Sequence, residues 1–173
     1  MQIKRIKVGY LETNCYILIK NNECLIIDPG AEGKKIIGEV GENKVKGILI
    51  THSHPDHIGA LKELKEHFKC DVYDKDNLNE GKHELGVFTF EVIYTPGHTS
   101  DSLSYYFDNK YLFTGDFLFK GTIGRTDLPT GNYDKLLNSL EKIKKYPKEI
   151  KIYPGHMDET TLIQELETNP YMQ

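Results

Sequence analysis

The segment Thr51-His52-Ser53-His54-Pro55-Asp56-His57-Ile58-Gly59 places three histidines and one aspartate within six positions. His52 and His54 are two residues apart, so both imidazoles point to the same side if the segment is extended. Pro55 favours the first turn of a helix, from which Asp56 and His57 would face a second point nearby. The spacing therefore predicts two adjoining half-sites for metal ions.

The regions around this segment predict alternating strands and helices. A short apolar strand at residues 47–50 leads into it, and a helix with apolar residues at helical spacing continues over residues 60–68. Further strands are predicted at residues 3–8, 15–19, 24–27, 85–94, 103–107, 111–114 and 150–153, with helices at 34–40, 132–146 and 159–167. This order predicts an α/β fold, a four-layer αββα sandwich. The length suits a single domain over residues 1–173.

The overall composition excludes several classes of protein. With 38% apolar and 28% charged residues, the chain is expected to be globular, and its net charge of −4 argues against a nucleic-acid partner. No apolar run approaches the roughly 20 residues that cross a bilayer, and no export signal is recognisable at the N-terminus, so we expect no membrane partner. The three cysteines form no CxxC pair, which favours reduced thiols and a cytoplasmic location.

Three more candidate ligands each follow a glycine at the end of a predicted strand. They are His98 in Pro96-Gly97-His98, Asp116 in Thr114-Gly115-Asp116, and His156 in Pro154-Gly155-His156. The carboxyl ends of strands are where α/β sheets usually place their chemistry, and glycine permits a tight turn beside a ligand. These residues are therefore expected to complete the two half-sites.

The full set supplies seven nitrogen and oxygen ligands, which suit two divalent metal ions. The candidate ligands are His52, His54, Asp56, His57, His98, Asp116 and His156. The absence of sulfur ligands suggests zinc, iron or manganese rather than Cu(I) or a structural cysteine-type zinc site, and zinc is the first expectation among the three. A metal ion lowers the pKa of its bound water to about 7, so the set predicts hydrolytic chemistry.

Other polar residues keep more than one interpretation. His67 and His83 have no partners in sequence and are expected to be ordinary hydrogen-bonded residues. Asp28, before Pro29-Gly30, is either a turn residue or a hydrogen-bond partner of a metal ligand. For Asp101, the interpretation as an exposed acid in a loop is as good as a role beside the metal ligands.

These motifs resemble those of the metallo-β-lactamase-fold hydrolases, and within them the glyoxalase II-like, or hydroxyacylglutathione hydrolase-like, group. The matching stretches are residues 51–59, 95–99, 113–119, 124–127 and 153–156. The resemblance implies one metal site formed by His52, His54 and His98, a second formed by Asp56, His57 and His156, and Asp116 as the bridge. It also implies attack of a metal-bound hydroxide on a thioester or similar acyl bond of a small substrate, with Asp56 and Asp116 as candidate catalytic residues.

The sequence also departs from the glyoxalase II pattern. Glyoxalase II proper has a C-terminal helical region, supplying much of its glutathione site, that the sequence ending at Gln173 does not contain. Arg125 stands where that family has a basic residue for a glutathione carboxylate, so it is a candidate binding residue for an anionic thiol ester. The family's tyrosine two positions later is Asp127 here, and pairing of Arg125 with Asp127 is an equal alternative.

Two other functions compete with the hydrolase. Persulfide dioxygenases share the fold and the Gly-Arg-Thr-Asp stretch found at residues 124–127, and they use one iron ion held by two histidines and one aspartate. A metal-stabilised binding subunit without catalysis is less favoured, because no ligand has been lost. Lactamases of this fold usually depart from the present ligand set.

Overall fold

The computed structural model describes residues 1–173, in thirteen strands and five helices. The first sheet contains β1 (Gln2–Val8), β2 (Thr13–Lys20), β3 (Glu23–Ile27), β4 (Lys44–Leu49) and β5 (Val72–Tyr73), in that order. The second contains β6 (Gly81–Leu85), β7 (Phe88–Tyr94), β8 (Leu103–Phe107), β9 (Tyr111–Gly115), β12 (Lys151–Pro154) and β13 (Thr160–Thr161), in the order β13-β12-β9-β8-β7-β6. A separate ribbon pairs β10 (Leu118–Phe119) with β11 (Thr122–Ile123).

The helices cover the outer faces of the two sheets. They are α1 (Gly33–Val40), α2 (Pro55–Ile58), α3 (Leu61–Phe68), α4 (Tyr133–Ile143) and α5 (Leu162–Thr168). Apolar side chains of α1 and α3 pack on the first sheet, and those of α4 and α5 pack on the second. None of these helices is long and apolar enough to span a membrane.

Strand β2 illustrates why the chain forms four layers. Side chains alternate between the two faces of a strand. Tyr16 and Leu18 pack between the sheets, whereas Cys15 and Ile17 pack under α1 and α3. Because both faces of the strand are apolar, both must be covered, and the result confirms the αββα sandwich.

Several predicted element boundaries were wrong. The helix predicted at residues 132–146 ends at Ile143, and the helix predicted at residues 159–167 begins at Leu162, after strand β13. Residues 85–94 were predicted as one strand, but they belong to the hairpin of β6 and β7, in which Leu85 pairs with Phe88. Gly86 turns the chain there with a φ of 58°, a conformation that glycine adopts without strain. The helix predicted to continue from Pro55 is interrupted after α2, and the backbone N–H of Ala60 donates instead to Pro29.

Hydrogen bonds join the two sheets along one edge. The N–H of Leu103 donates to the carbonyl of Thr51 at 2.8 Å, and the Tyr105 hydroxyl donates to the carbonyl of Ile50 at 2.6 Å. The N–H of Asn14 donates to the carbonyl of Gly155 at 2.7 Å. This edge holds the loops that follow β4, β7, β9 and β12, so it brings together segments far apart in sequence.

Candidate metal centre

All seven candidate ligands lie at this edge. His52 and His54 lie in the loop after β4, and Asp56 and His57 lie on α2. His98, Asp116 and His156 follow β7, β9 and β12, respectively. Short local motifs therefore set the position of each side chain within its loop, and the two sheets bring the four loops together.

The first cluster consists of His52, His54 and His98. The Nδ1 atom of His54 lies 3.2 Å from Nε2 of His52 and 3.0 Å from Nε2 of His98. One ring nitrogen from each residue lies within 4.8 Å of the others, which permits coordination of a single ion. Three imidazole nitrogens are a common ligand set for zinc.

The second cluster consists of Asp56, His57 and His156. The Oδ2 atom of Asp56 lies 3.1 Å from Nε2 of His156 and 3.5 Å from Nε2 of His57. Their ligand atoms also lie within 4.8 Å of one another. The structure thus places two three-residue groups side by side.

Asp116 lies between the two clusters. Its Oδ2 atom lies 4.0 Å from Nε2 of His52 and 3.7 Å from Nε2 of His98 in the first cluster. Its carboxylate also lies 3.2 Å from Nε2 of His57 and 3.4 Å from Nε2 of His156 in the second. This position is the one that a bridging carboxylate requires.

Outward hydrogen bonds to backbone carbonyls orient two of the imidazoles. The Nδ1 atoms of His98 and His156 lie 2.8 Å from the carbonyl of Arg125 and 3.1 Å from that of Leu11. Because carbonyl oxygens only accept, each Nδ1 must carry the hydrogen. In the neutral rings, Nε2 then directs its lone pair to the centre, as in many metal sites.

Asp28 is a hydrogen-bond partner of a candidate ligand. Its buried carboxylate accepts from Nδ1 of His57 at 2.8 Å, and from the N–H and hydroxyl of Thr51 at 2.8 and 2.6 Å. These three donors engage both oxygens of the carboxylate. Asp28 is therefore a hydrogen-bond partner that orients His57, the second of the two roles predicted for it. Asp101 accepts from the N–H of Ser53 at 3.1 Å and therefore orders the histidine loop.

Charges within the centre act in opposite directions on its histidines. Burial and the neighbouring His57 lower the pKa of His52 well below its usual value, so this ring is neutral. Burial also opposes protonation of His57, but Asp28 and Asp116 outweigh it and raise the pKa of His57 to about 10. Metal ions and protons therefore compete for the second cluster.

Two buried atoms of the centre lack hydrogen-bond partners. They are Nε2 of His57 and Oδ1 of Asp116, which lie 3.2 Å apart but without the alignment of a hydrogen bond. A buried polar atom without a partner carries a free-energy cost of about 1–3 kcal/mol. Coordination of a metal ion would satisfy both atoms, so the residues present fit divalent metal.

Other candidate residues lie apart from the clusters or contact them indirectly. The cysteines are free and pack within or against the core between the first sheet and its helices. His83 bonds to the carbonyl of Asn79. The carbonyl of Arg125 orients His98, but its guanidinium forms two hydrogen bonds with Asp127, at 2.7 and 2.8 Å. The pairing alternative for Arg125 is thus the one observed.

The sequence motifs missed a side chain that contacts the second cluster. The hydroxyl of Thr13, at the start of β2, donates to Oδ2 of Asp56 at 3.0 Å. No spacing pattern links these residues, which lie 43 positions apart. Only the docking of β2 beside α2 brings them into contact.

Comparison of the sequence with known proteins agrees with this geometry. The profile of the Metallo-beta-lactamase superfamily matches residues 8–73 and 72–156. Probable metallo-hydrolase YqgX from Bacillus subtilis is 38% identical over 206 residues, covering 99% of this chain and 98% of that protein. Hydroxyacylglutathione hydrolase GloC from Haemophilus influenzae is 33% identical over 208 residues, covering 99% and 98%.

Solved structures show the same similarity. BLEG-1 B3 metallo-beta-lactamase superposes with a TM-score of 0.96 at 33% identity, covering 99% of this chain and 100% of that one. ETHE1 from Myxococcus xanthus has a TM-score of 0.91 at 30% identity, covering 98% and 84%. TTHA1623 in a di-iron-bound form has a TM-score of 0.88 at 30% identity, covering 97% and 99%. By sequence profile and by fold, this chain belongs to the metallo-β-lactamase superfamily.

Proposed function

We propose that the protein is a dinuclear metal-dependent hydrolase that cleaves a small thioester or ester. The observation that carries this proposal is the position of Asp116 between two groups that each offer three ligands. One group would suffice for a mononuclear centre, whereas the second gives a pair of ions with a shared carboxylate. The relative named hydroxyacylglutathione hydrolase supports the thioester class.

Zinc is the metal that we propose first, with iron or manganese as alternatives. The donors are imidazole nitrogens and carboxylate oxygens, which suit all three metals. The similarity to a protein solved in a di-iron-bound form supports two ions and keeps iron among the candidates. Metal analysis of the purified protein distinguishes these choices.

The chain's own residues would orient the reactants. Bound divalent metal supplies the acidity that makes water nucleophilic near neutral pH and polarises the acyl oxygen. Asp116, reaching both groups, would hold the two ions at a fixed separation. Asp56, whose Oδ2 lies beside His156 and Thr13, would hold one ion and orient the attacking water by accepting a hydrogen bond from it. Hydrolysis of a thioester would then release an acid and a thiol.

The second candidate function is a mononuclear iron persulfide dioxygenase. The first cluster offers three histidines beside Asp116, so two of them and the aspartate could hold one iron ion, and residues 124–127 match the stretch that these enzymes share. The complete second cluster favours hydrolysis, because a mononuclear oxygenase would not need it. The similarity to BLEG-1 makes a β-lactam a necessary third test substrate.

One set of assays on the purified protein separates these functions. Metal content is measured, and lactoylglutathione, a β-lactam and glutathione persulfide are supplied with and without oxygen. We expect two metal ions per chain and thioester cleavage that continues without oxygen. One iron per chain with oxygen consumption would establish the dioxygenase instead, and cleavage of the β-lactam alone would contradict the thioester proposal.

The Arg125–Asp127 pair provides a test of substrate charge. Both side chains are exposed, at 61% and 67%, so their ion pair competes only weakly with a substrate. Asp127→Asn should free the guanidinium and lower KM for an anionic thioester by about two- to fivefold, with kcat unchanged. Steady-state kinetics with a neutral thioester is the control, and an equal change in KM for both substrates would argue against a role for Arg125.

A further inference from the structure

The start of strand β2 contacts two parts of the second cluster that are far apart in sequence, namely Asp56 and the loop that carries His156. Thr13 donates to Asp56, and Nδ2 of Asn14 donates to the carbonyls of Pro154 and Met157 at 3.0 and 2.9 Å. Those two carbonyls flank His156. Asp56 and His156 lie 100 positions apart in sequence, so two adjacent residues of one strand support both of them.

The two side chains that make these contacts are buried, so water cannot take the place of their hydrogen-bond partners. Thr13 is 1% exposed and Asn14 is 0% exposed. The N–H of Asn14 also donates to the carbonyl of Gly155, between the two carbonyls bound by its side chain. When a polar group is withdrawn from water in this way, no water molecule replaces a hydrogen-bond partner that a substitution removes. The strand therefore acts as a fixed support for the His156 loop.

The His156 loop needs such a support. Met157 has a φ of 68°, in the left-handed region that costs free energy for a residue with a side chain. The surrounding structure must hold such a conformation in place. The bond from Asn14 to the Met157 carbonyl, with that from the Tyr16 hydroxyl to the Pro154 carbonyl at 2.6 Å, provides this restraint.

Thr13 acts on the carboxylate itself. Asp56 is only partly buried, and its carboxylate can rotate about its terminal bond. The Thr13 hydroxyl donates to the same oxygen that lies 3.1 Å from His156. A donor at this position fixes the direction of the carboxylate and leaves its remaining lone pairs for a metal ion.

The first cluster has different supports. His52 Nδ1 lies 3.0 Å from the Thr51 hydroxyl, and His98 Nδ1 donates to the Arg125 carbonyl. Because these partners belong to other segments, loosening the start of β2 should affect the two clusters unequally. We propose that Thr13 and Asn14 are positioning residues for the second metal ion and determine whether one ion or two are bound. This inference rests on the proposed dinuclear centre.

The test compares Thr13→Val with Thr13→Ser, because valine keeps the branched shape and serine keeps the hydroxyl. Metal-free protein is titrated with Zn²⁺ by calorimetry and with Co²⁺ by absorption spectroscopy. Thr13→Val should weaken the second binding step by about 10- to 100-fold and leave the first unchanged, and Thr13→Ser should restore it. Asn14→Ala should give the same selective loss through His156.

A buried threonine whose hydroxyl bonds to a carboxylate outside both clusters supplies the matched control. The Thr160 hydroxyl donates to the buried carboxylate of Glu165 at 2.7 Å, so Thr160→Val also removes a hydroxyl–carboxylate bond. That variant should lose thermal stability without changing either metal-binding step. If Thr13→Val does not fold, Thr13→Ala provides the same comparison with a smaller side chain.

The outcomes distinguish this inference from the proposed function. If the wild-type protein binds two ions and Thr13→Val leaves the second step unchanged, or weakens both steps equally, the positioning role is overturned alone. If the wild-type protein binds only one ion, the dinuclear proposal itself is overturned. Selective weakening with rescue by serine supports the positioning role, since a general loss of packing would not spare the first step.

Discussion

Asp116→Ala is expected to uncouple the two metal positions and to lower kcat/KM for a thioester by about 10³-fold, because Lewis-acid stabilisation is worth several kcal/mol. The carboxylate lies within 4.0 Å of histidines from both clusters. Removing it also leaves those imidazoles without the negative charge between them. Metal content by mass spectrometry and steady-state kinetics would measure the two effects.

The comparison variant is Asp116→Asn, which keeps the shape of the side chain and removes its charge. If charge is what joins the ions, the asparagine variant should resemble the alanine variant in metal content. Asp127→Asn, an exposed acid outside the clusters, should retain both ions. An Asp116→Ala protein that keeps two ions and wild-type activity would contradict the bridging role.

Gly155→Ala should disrupt the second cluster through direct overlap. A Cβ atom at this position would lie 2.2 Å from Oδ1 of Asp116 and 2.7 Å from Cε1 of His57. Neither group can move without leaving its place in the centre, and misplacement by about 1 Å can reduce activity about 10²-fold. We expect activity to fall by about that factor or more, together with loss of the second metal ion.

Gly38→Ala provides the control for this substitution. Gly38 lies within α1, and an added Cβ atom would meet nothing within 4 Å. Alanine in a helix is favoured over glycine by about 0.5–1 kcal/mol, so this variant should be slightly more stable and fully active. Metal titration and thermal unfolding of Gly155→Ala and Gly38→Ala measure the difference in metal binding and stability between the two variants. Normal binding of two ions by Gly155→Ala would show that the site tolerates the added atom.

Local patterns predicted most of the residues at the centre because each pattern depends on backbone geometry over a few positions. The two-residue spacing of His52 and His54, and the glycines before His98 and His156, describe how a chain turns at the end of a strand. Continuous runs of apolar residues likewise predicted the core strands, such as β2. These features require no knowledge of distant segments.

The errors and the open choices concern interactions that local patterns do not describe. The turn at Gly86 was hidden within an apolar run and was predicted as part of one strand. The interruption between α2 and α3 arises where Ala60 bonds to Pro29, a residue from the preceding strand–helix connection. Whether Arg125 faces a substrate or pairs with Asp127 depends on side-chain geometry outside any repeat.

By itself, the sequence determined the fold class, the family and the seven donors that end up at one edge. Only the tertiary structure decided that Asp116 reaches histidines of both clusters, that Asp28 orients His57, and that Thr13 contacts Asp56. The physical reason is that side-chain periodicity and turn residues act over a few positions, whereas these contacts join segments that only the packing of two sheets brings within hydrogen-bond distance.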